Sequence, residues 1–318
     1  MRVLIDTNLW SEVANQRAGD ELAHAVRKGK KQLLVTPTVI EELRDRSRLD
    51  ARRASLQVAT RSDWIRLMPD AYNECQELKS EIRRLRPQWM LPNPSLKEVH
   101  RLRDDWIKRE GSYWDRARED SIEPVTDESQ RRDSELQLAR AQSREIRQRI
   151  HQSGVQGGST HLQHVGHMPS PGTRGWTGKP VEYWRMPSLL TTREELQVYS
   201  SPYREWMDSE VDVFAMLYDE ASMNQMWLHE LDPRNVPRQW LRGAFEFLQG
   251  WFKVTDGTPC DSALAGFLVD ADFALSADKN FIRFADRCYR EAPFPTAQAQ
   301  LISGGANGVQ ELIDFLRQ

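Results

Sequence analysis

The chain opens with Met1-Arg2-Val3-Leu4-Ile5-Asp6-Thr7-Asn8, the stretch from which the fold is inferred. Its apolar run is typical of a short buried strand, and it ends abruptly in a carboxylate, a hydroxyl and an amide. In open parallel α/β sheets, ligands lie beyond the carboxyl ends of the strands, where helices also begin. Asp6 is therefore predicted to be either the N-cap of the next helix or part of a site, and this stretch leaves both open.

A strand, helix, strand, helix pattern follows. Asn8 to Lys28 predicts a helix, and Gln32 to Val35 predicts a second buried strand. Thr36-Pro37 is typical of a helix start, because the hydroxyl caps the first turn and proline needs no hydrogen-bond acceptor there. Such a unit predicts parallel strands joined by a right-handed crossover. The second helix carries Glu41 and Glu42, for which stabilisation of the helix dipole is the alternative to a role in a site.

Length and composition narrow the class of protein. A chain of 318 residues can bury a sizeable core. Its 44 basic and 47 acidic residues give a net charge of −3, so any nucleic-acid binding must use local patches. The three cysteines lack metal-site or redox spacing, and neither a secretory leader nor a membrane-spanning run is evident. These features predict a soluble, reduced, cytoplasmic protein without membrane contact.

Charge-rich helical patterns fill the middle of the chain. They run through four stretches, which are Arg44 to Ala59, Asp63 to Arg86, Ser95 to Arg118 and Thr126 to His151. Alternating Arg and acidic residues in the last stretch indicate a solvated face, while Arg140, Arg144 and Arg147 leave RNA contact open. An apolar segment from Val211 to Trp227 follows later, and Pro237 to Val254 predicts an aromatic-rich helix. The middle is therefore predicted to be all-helical.

A stretch rich in Gly, Ser, His, Thr and Pro interrupts these helices between Gly154 and Lys179, and predicts a flexible loop. Its histidines, His161, His164 and His167, invite a metal interpretation. They lack the Cys or acidic partners of a structural zinc site, so the loop interpretation is preferred.

The α/β pattern returns near the end of the chain. Asp261 to Leu268 predicts a short helix, and Ala271 to Asp278 predicts a strand that, like the first, ends in a hydroxyl and a carboxylate. Pro295 to Ile302 predicts an edge strand, and Val309 to Leu316 a closing helix. Two strand ends and two helix starts thus carry an acid each, namely Asp6, Glu42, Asp261 and Asp278. Hard cations prefer oxygen ligands, so acids converging on one sheet edge predict a metal site, where without metal at least one pKa is raised.

Four motifs in this order resemble those of PIN-domain proteins, the fold of the VapC-type toxin ribonucleases. The motifs are Val3-Leu4-Ile5-Asp6-Thr7-Asn8, residues 36–43 with the acid before leucine, the small-residue helix from Asp261, and the acidic strand ending at Asp278. The interval 278 − 261 = 17 agrees with the spacing usual in the family. The resemblance covers residues 1–55 and 255–318, and the long helical middle departs from compact members.

The resemblance implies an α/β fold, with a PIN-like parallel sheet sandwiched by helices and a large all-helical insertion. The catalytic domain would be discontinuous, formed by residues 1–58 and 252–318. Residues 59–251 would form the insertion, with the flexible loop near 154–180.

The resemblance also implies a Mg²⁺- or Mn²⁺-dependent nuclease, an endoribonuclease of toxin or defence type. It assigns metal binding and catalysis to Asp6, Glu42, Asp261 and Asp278, with Glu42 preferred over Glu41 by register. Groups that orient ligands or waters through hydrogen bonds would be Thr7, Asn8 and Ser276. Expected partners are RNA, an antitoxin or regulatory protein, and a second copy of the chain.

Two other functions stay open. A catalytically silent PIN fold would serve as a scaffold or binding protein. A haloacid-dehalogenase-like phosphatase also begins with an acid after a strand, but it expects a second Asp where this chain has Asn8.

Overall fold

A parallel sheet lies at the centre of the fold. The computed structural model describes residues 1–108, 110–120, 148, 161–162, 166–167, 174–179, 181–250 and 258–318. Its strands are β1 (Arg2–Ile5), β2 (Gln32–Val35), β3 (Ile65–Arg66), β4 (Gly166–His167), β5 (Val181–Glu182), β6 (Phe273–Ser276) and β7 (Gln298–Leu301). Five of them form a parallel sheet in the order β3-β2-β1-β6-β7, and β4 pairs with β5 separately. The predicted α/β class and parallel sheet are confirmed.

Helices make up most of the rest of the described chain. They are α1 (Thr7–Asn15), α2 (Gly19–Lys28), α3 (Pro37–Arg44), α4 (Leu49–Ala59), α5 (Asp70–Leu85), α6 (Leu96–Ile107), α7 (Tyr113–Arg118), α8 (Arg185–Gln197), α9 (Pro202–Asp208), α10 (Val213–Tyr218), α11 (Glu220–Gln225), α12 (Pro237–Gln249), α13 (Thr258–Ala265), α14 (Lys279–Glu291) and α15 (Gly305–Arg317). Short 3₁₀ turns span Pro87–Trp89 and Gly266–Val269, and a π turn spans Met226–Glu230.

The order of the strands positions the site. The chain leaves β1 toward β2 on one side, and β6 later pairs with β1 on the other side. A crevice forms where the direction of winding reverses in this way, beyond the carboxyl ends of the two strands. Helix α14 packs against β6, β7 and α12, whereas α15 packs against α1 and α2. With both faces covered, Val3, Leu4 and Ile5 are fully buried.

The first predicted helix, Asn8 to Lys28, is divided into α1 and α2. Arg17, between them, adopts a left-handed backbone conformation with φ 56°, which a continuing helix does not allow. The amide of Ala18 donates to the carbonyl of Val13 and closes the turn. The prediction of a single helix here was wrong.

The prediction of an all-helical middle was also wrong. Ile65 and Arg66 add β3 to the edge of the main sheet, and the β4–β5 pair is a second departure. The predicted helix Asp63 to Arg86 begins only at Asp70, after Pro69, and Ser95 to Arg118 is divided into α6 and α7. The predicted edge strand in 295–302 is confirmed as β7.

Several predictions lie mostly or wholly outside the described residues. These are the helix Thr126 to His151 with its arginines, and most of the loop between Gly154 and Lys179, with His164 and the side chain of His167. Within the described residues, one connected hydrophobic cluster extends from the sheet into the helical middle. The predicted domain boundaries stay a prediction. No helix in the described part of the chain has the length and apolarity needed to cross a bilayer.

Candidate functional site

Asp6 lies directly after β1, at the centre of the sheet, and its side chain is held by three donors. Its carboxylate accepts hydrogen bonds from the backbone N–H of Thr7 (2.6 Å), from Nδ2 of Asn8 (3.2 Å) and from Oγ of Ser276 (2.7 Å). Asp6 is the N-cap of α1 and is only 5% exposed. The predicted cap role is therefore confirmed, and the same geometry fixes the carboxylate beside β6.

Asp278 has the matching position after β6. It caps α14, and its Oδ1 accepts from the N–H groups of Asn280 (2.6 Å) and Phe281 (3.4 Å). Its own N–H donates to Oγ of Ser276 (2.9 Å), the hydroxyl that donates to Asp6. Ser276 thus connects the two strand-ending acids, as expected of a residue that orients them.

Glu42 lies in the second turn of α3, beyond the first turn where the helix dipole favours acids. Its Oε2 accepts a 2.5 Å hydrogen bond from the hydroxyl of Thr7, which attaches it to the residue after Asp6. The neighbouring Glu41 instead accepts from the Tyr113 hydroxyl (2.6 Å) and from Arg44 (2.7 Å). Of the two acids, it is Glu42 that adjoins the end of β1.

Asp261 lies in the first turn of α13. It belongs to the same group because its charge interacts with those of the other three acids. Burial raises its pKa to about 8, and the charges of Asp6, Asp278 and Glu42 contribute to the same rise. All four acids are therefore within electrostatic reach of one another. Carboxylates this close disfavour one another's ionised form.

Glu42 and Asp6 show the same effect. Burial raises the pKa of Glu42 to about 7, with a further contribution from the charge of Asp6, although the hydrogen bond from Thr7 opposes the rise. Burial also raises the pKa of Asp6, against the hydrogen bond from Ser276, and the charge of Asp278 adds to the rise. The expectation that at least one pKa is raised is confirmed.

Within the part of the chain that the structure describes, the negative charge of this group is not balanced by a direct ion pair. Among the residues that the structure describes, no Lys or Arg forms an ion pair with any of the four acids. Four carboxylates supply the oxygen donors that Mg²⁺ and Mn²⁺ prefer, so the donor set fits such an ion in chemistry and in charge. The side chains are not gathered around one point, however, since the described residues contain no group of three His, Cys, Asp or Glu arranged to hold a metal ion.

An open cleft of about 730 Å³ adjoins these acids. Its walls include Glu42 and Asp278, whereas Asp6 and Asp261 do not reach them. The other lining residues come from α1, from the segments after α3 and β6, and from the start of α15; they are Thr7, Asn8, Ser11, Glu12, Arg46, Ala277, Lys279, Gly304 and Gly305. This solvent-accessible cleft gives a ligand direct access to Glu42 and Asp278.

Sequence reasoning missed three charged residues of the cleft, which are Glu12, Arg46 and Lys279. Glu12 lies four positions after Asn8, on the same face of α1, so helical periodicity from the opening motif could have indicated it. Arg46 follows the end of α3 between Arg44 and Arg48, and no local signal separates it from them.

Comparisons of this chain with protein-family models, with curated proteins and with solved structures found no match.

Proposed function

We propose that the chain is a metal-dependent nuclease that hydrolyses phosphodiester bonds. The observation that carries the proposal is that four carboxylates, from four separate elements, lie within electrostatic reach of one another where the sheet reverses its winding, and that two of them line an open cleft. Structural acids are usually paired with a base, and none of these four forms an ion pair with a Lys or Arg of the described residues. Groups with strongly perturbed pKa values in a cleft are candidates for a functional site.

Asp6, Glu42, Asp261 and Asp278 would hold Mg²⁺ or Mn²⁺. A bound divalent ion supplies a nucleophilic water at neutral pH and balances charge on the phosphoryl oxygens. The protein's own groups set the positions of the ligands. Ser276 fixes Asp6 relative to Asp278, and the hydroxyl of Thr7 holds Glu42 beside the end of β1.

The resemblance to PIN-domain proteins favours RNA as the substrate and endonucleolytic cleavage of toxin or defence type. An antitoxin or regulatory partner, self-association and a cytoplasmic location are proposed on the same ground. The nearly balanced charge of the chain agrees with a local binding site rather than a general affinity for polyanions.

A catalytically silent scaffold is the second candidate. It is favoured by the absence, among the described residues, of any acidic group already arranged around a metal position. The two candidates differ in whether Asp6 is needed for hydrolysis.

The test is hydrolysis of a mixed pool of single-stranded RNA, structured RNA and single-stranded DNA in Mn²⁺, Mg²⁺ or EDTA. Asp6→Asn is assayed in parallel, with Asp20→Asn as the matched control, since the Asp20 side chain is 95% exposed. A nuclease cleaves only with metal, keeps its activity in Asp20→Asn and loses it in Asp6→Asn. Hydrolysis that is equal in all three proteins overturns the proposal, and no hydrolysis by any of them overturns it and leaves the scaffold.

A further inference from the structure

Arg46 is held in a fixed position at the edge of the acidic cleft. Its Nη1 donates a 2.7 Å hydrogen bond to Oγ of Ser55, a fully buried residue of α4. The Ser55 hydroxyl in turn donates to the carbonyl of Ala51 (2.8 Å). Since its single proton is used there, the oxygen of Ser55 can act toward Arg46 only as an acceptor.

Arg46 forms no ion pair with a carboxylate among the described residues, although several acids lie near it in the sequence or line the same cleft. Glu42 and Asp45 precede it closely in the chain, and Glu12 and Asp278 line the same cleft. Among the described residues, none of these acids lies within ion-pair distance of the Arg46 guanidinium, and its remaining side-chain N–H groups have no protein acceptor. The guanidinium of Arg46 therefore lies in the same cleft as these carboxylates without forming an ion pair with any of them.

The topology gives the cleft a second cation on the other side of the sheet's centre. Arg46 follows β2 and α3, whereas Lys279 follows β6, and β1 lies between those two strands. Lys279 is exposed and has no ion-pair partner among the described residues. The cleft thus has carboxylates near its middle and a cation from each flanking connection, an arrangement that suits a ligand with several separated negative charges.

We infer that Arg46, positioned by Ser55, binds a backbone phosphate of a nucleic-acid strand that lies across the end of β1, with Lys279 contacting the strand on the far side. The planar guanidinium matches a phosphate through paired hydrogen bonds. Because Ser55 already restricts the side chain, less conformational entropy is lost on binding. The inference rests on the proposed function in one respect, since it takes the ligand to be the strand that would be hydrolysed.

The test measures binding, separately from hydrolysis. Fluorescence anisotropy of short labelled single-stranded RNA and DNA is recorded over a range of salt concentrations, with Mg²⁺ present and Asp6→Asn as the background. Arg46→Ala is compared with Arg48→Ala, which removes the same charge from the same loop outside the cleft. Arg46→Lys and Ser55→Ala are added to separate charge from geometry.

Arg46→Ala is expected to weaken binding about tenfold, as for loss of a charge-assisted hydrogen bond. The slope of log affinity against log salt should fall by about 0.7, the value for one phosphate contact on a single strand. Ser55→Ala and Arg46→Lys should weaken binding while keeping the slope, and Arg48→Ala should change both much less than Arg46→Ala. Arg46→Ala and Arg48→Ala binding equally, or no binding of either strand by the background protein, would overturn the inference.

The two proposals can fail separately. Selective loss of binding in Arg46→Ala, together with no hydrolysis of the pool by the wild-type protein, supports the phosphate site and removes the nuclease. Metal-dependent hydrolysis with Arg46→Ala binding as tightly as Arg48→Ala supports the nuclease and removes the phosphate site.

Discussion

The hydroxyl of Ser276 donates a 2.7 Å hydrogen bond to the carboxylate of Asp6, from the end of one strand to the end of its neighbour. Both residues are buried, and the same hydroxyl oxygen accepts from the N–H of Asp278. One side chain therefore sets the relative positions of two acids that lie far apart in the sequence.

Ser276→Ala is predicted to destabilise the protein by roughly 1–2 kcal/mol at neutral pH, because a buried carboxylate loses a donor. It should also raise the pKa of Asp6 further, since that hydrogen bond now lowers it. Urea denaturation measures the loss. Ser303→Ala, at an exposed serine, is the control, and an equal effect of both substitutions would contradict the role given to Ser276.

Much of this site could be predicted from the sequence because its signals are local. An apolar run that ends in an acid marks both Asp6 and Asp278, and the two strands pair in the structure. The sequence left open whether such an acid caps a helix or belongs to a site. Both acids cap helices and both lie at the crevice, so the two interpretations were never exclusive.

Features that depend on tertiary contacts could not be predicted. Strand β3 has only two residues and forms because it pairs with β2. Its own sequence lies within an apparent helical pattern and does not indicate a strand. The break between α1 and α2 occurs at Arg17, which has a left-handed backbone conformation. Glycine usually occupies such a position, so the sequence gives no sign of the break. Likewise, Arg46 differs from Arg48 in lining the cleft and in donating to Ser55, which belongs to the next helix, and neither contact is visible in the local sequence.

The pH dependence of stability is predicted to be governed in part by Asp261 and Glu42. Their folded-state pKa values, about 8 and about 7, exceed their ordinary values of 3.8 and 4.5. At a pH between the ordinary and the folded-state pKa, these two carboxyl groups keep a proton in the folded protein that they have released in the unfolded chain. The free energy of unfolding therefore falls as pH rises. In EDTA, the melting temperature should therefore decrease from pH 4.5 to pH 8.

Asp261→Asn should flatten that decrease, because the amide carries no charge. Near pH 8 without metal it should stabilise the protein by roughly 1–3 kcal/mol, because it removes a charge that burial and the neighbouring carboxylates disfavour. Asp20→Asn, at an exposed acid, should leave the profile unchanged. A profile for Asp261→Asn that follows the wild-type curve would show that Asp261 is not destabilised by its neighbours.

Thr7→Val is predicted to weaken Mn²⁺ binding roughly tenfold, as for loss of a group that orients a metal ligand. The valine keeps the shape of Thr7 but removes the donor that holds down the pKa of Glu42. The pH midpoint of Mn²⁺ binding should move upward accordingly. Thr7→Ser retains a hydroxyl and should bind Mn²⁺ as the wild-type protein does. If Thr7→Val also binds Mn²⁺ as tightly as wild type, the hydrogen bond from Thr7 does not position Glu42 for metal binding.

Arg238 is predicted to couple the helical middle to the strand that carries Ser276. Its guanidinium donates to both oxygens of Asp270 (2.8 and 2.7 Å), just before β6, and also to Glu77 on α5. Arg238→Met should cost about 3 kcal/mol, because it leaves two carboxylates without their partner. Chemical denaturation measures this cost.

Two variants make that prediction specific. Adding Glu77→Gln to Arg238→Met should recover part of the loss, since one unpaired acid becomes neutral. Arg234→Met removes a surface pair with Asp232 and should cost much less than Arg238→Met, because exposed ion pairs contribute little to stability. Equal losses for Arg238→Met and Arg234→Met would mean that the contact does not couple the two regions.

The measurement that bears most directly on the shared acidic site is calorimetric titration of the wild-type protein, Asp6→Asn and Asp278→Asn with Mn²⁺ at pH 7, repeated in buffers of different ionisation enthalpy. If the carboxylates bind one divalent centre, the wild-type protein binds Mn²⁺ and releases protons, because metal displaces the protons held by Asp261 and Glu42. Both variants should then bind at least about tenfold more weakly. Absence of binding, or equal affinity in all three proteins, would show that these acids do not form a metal site.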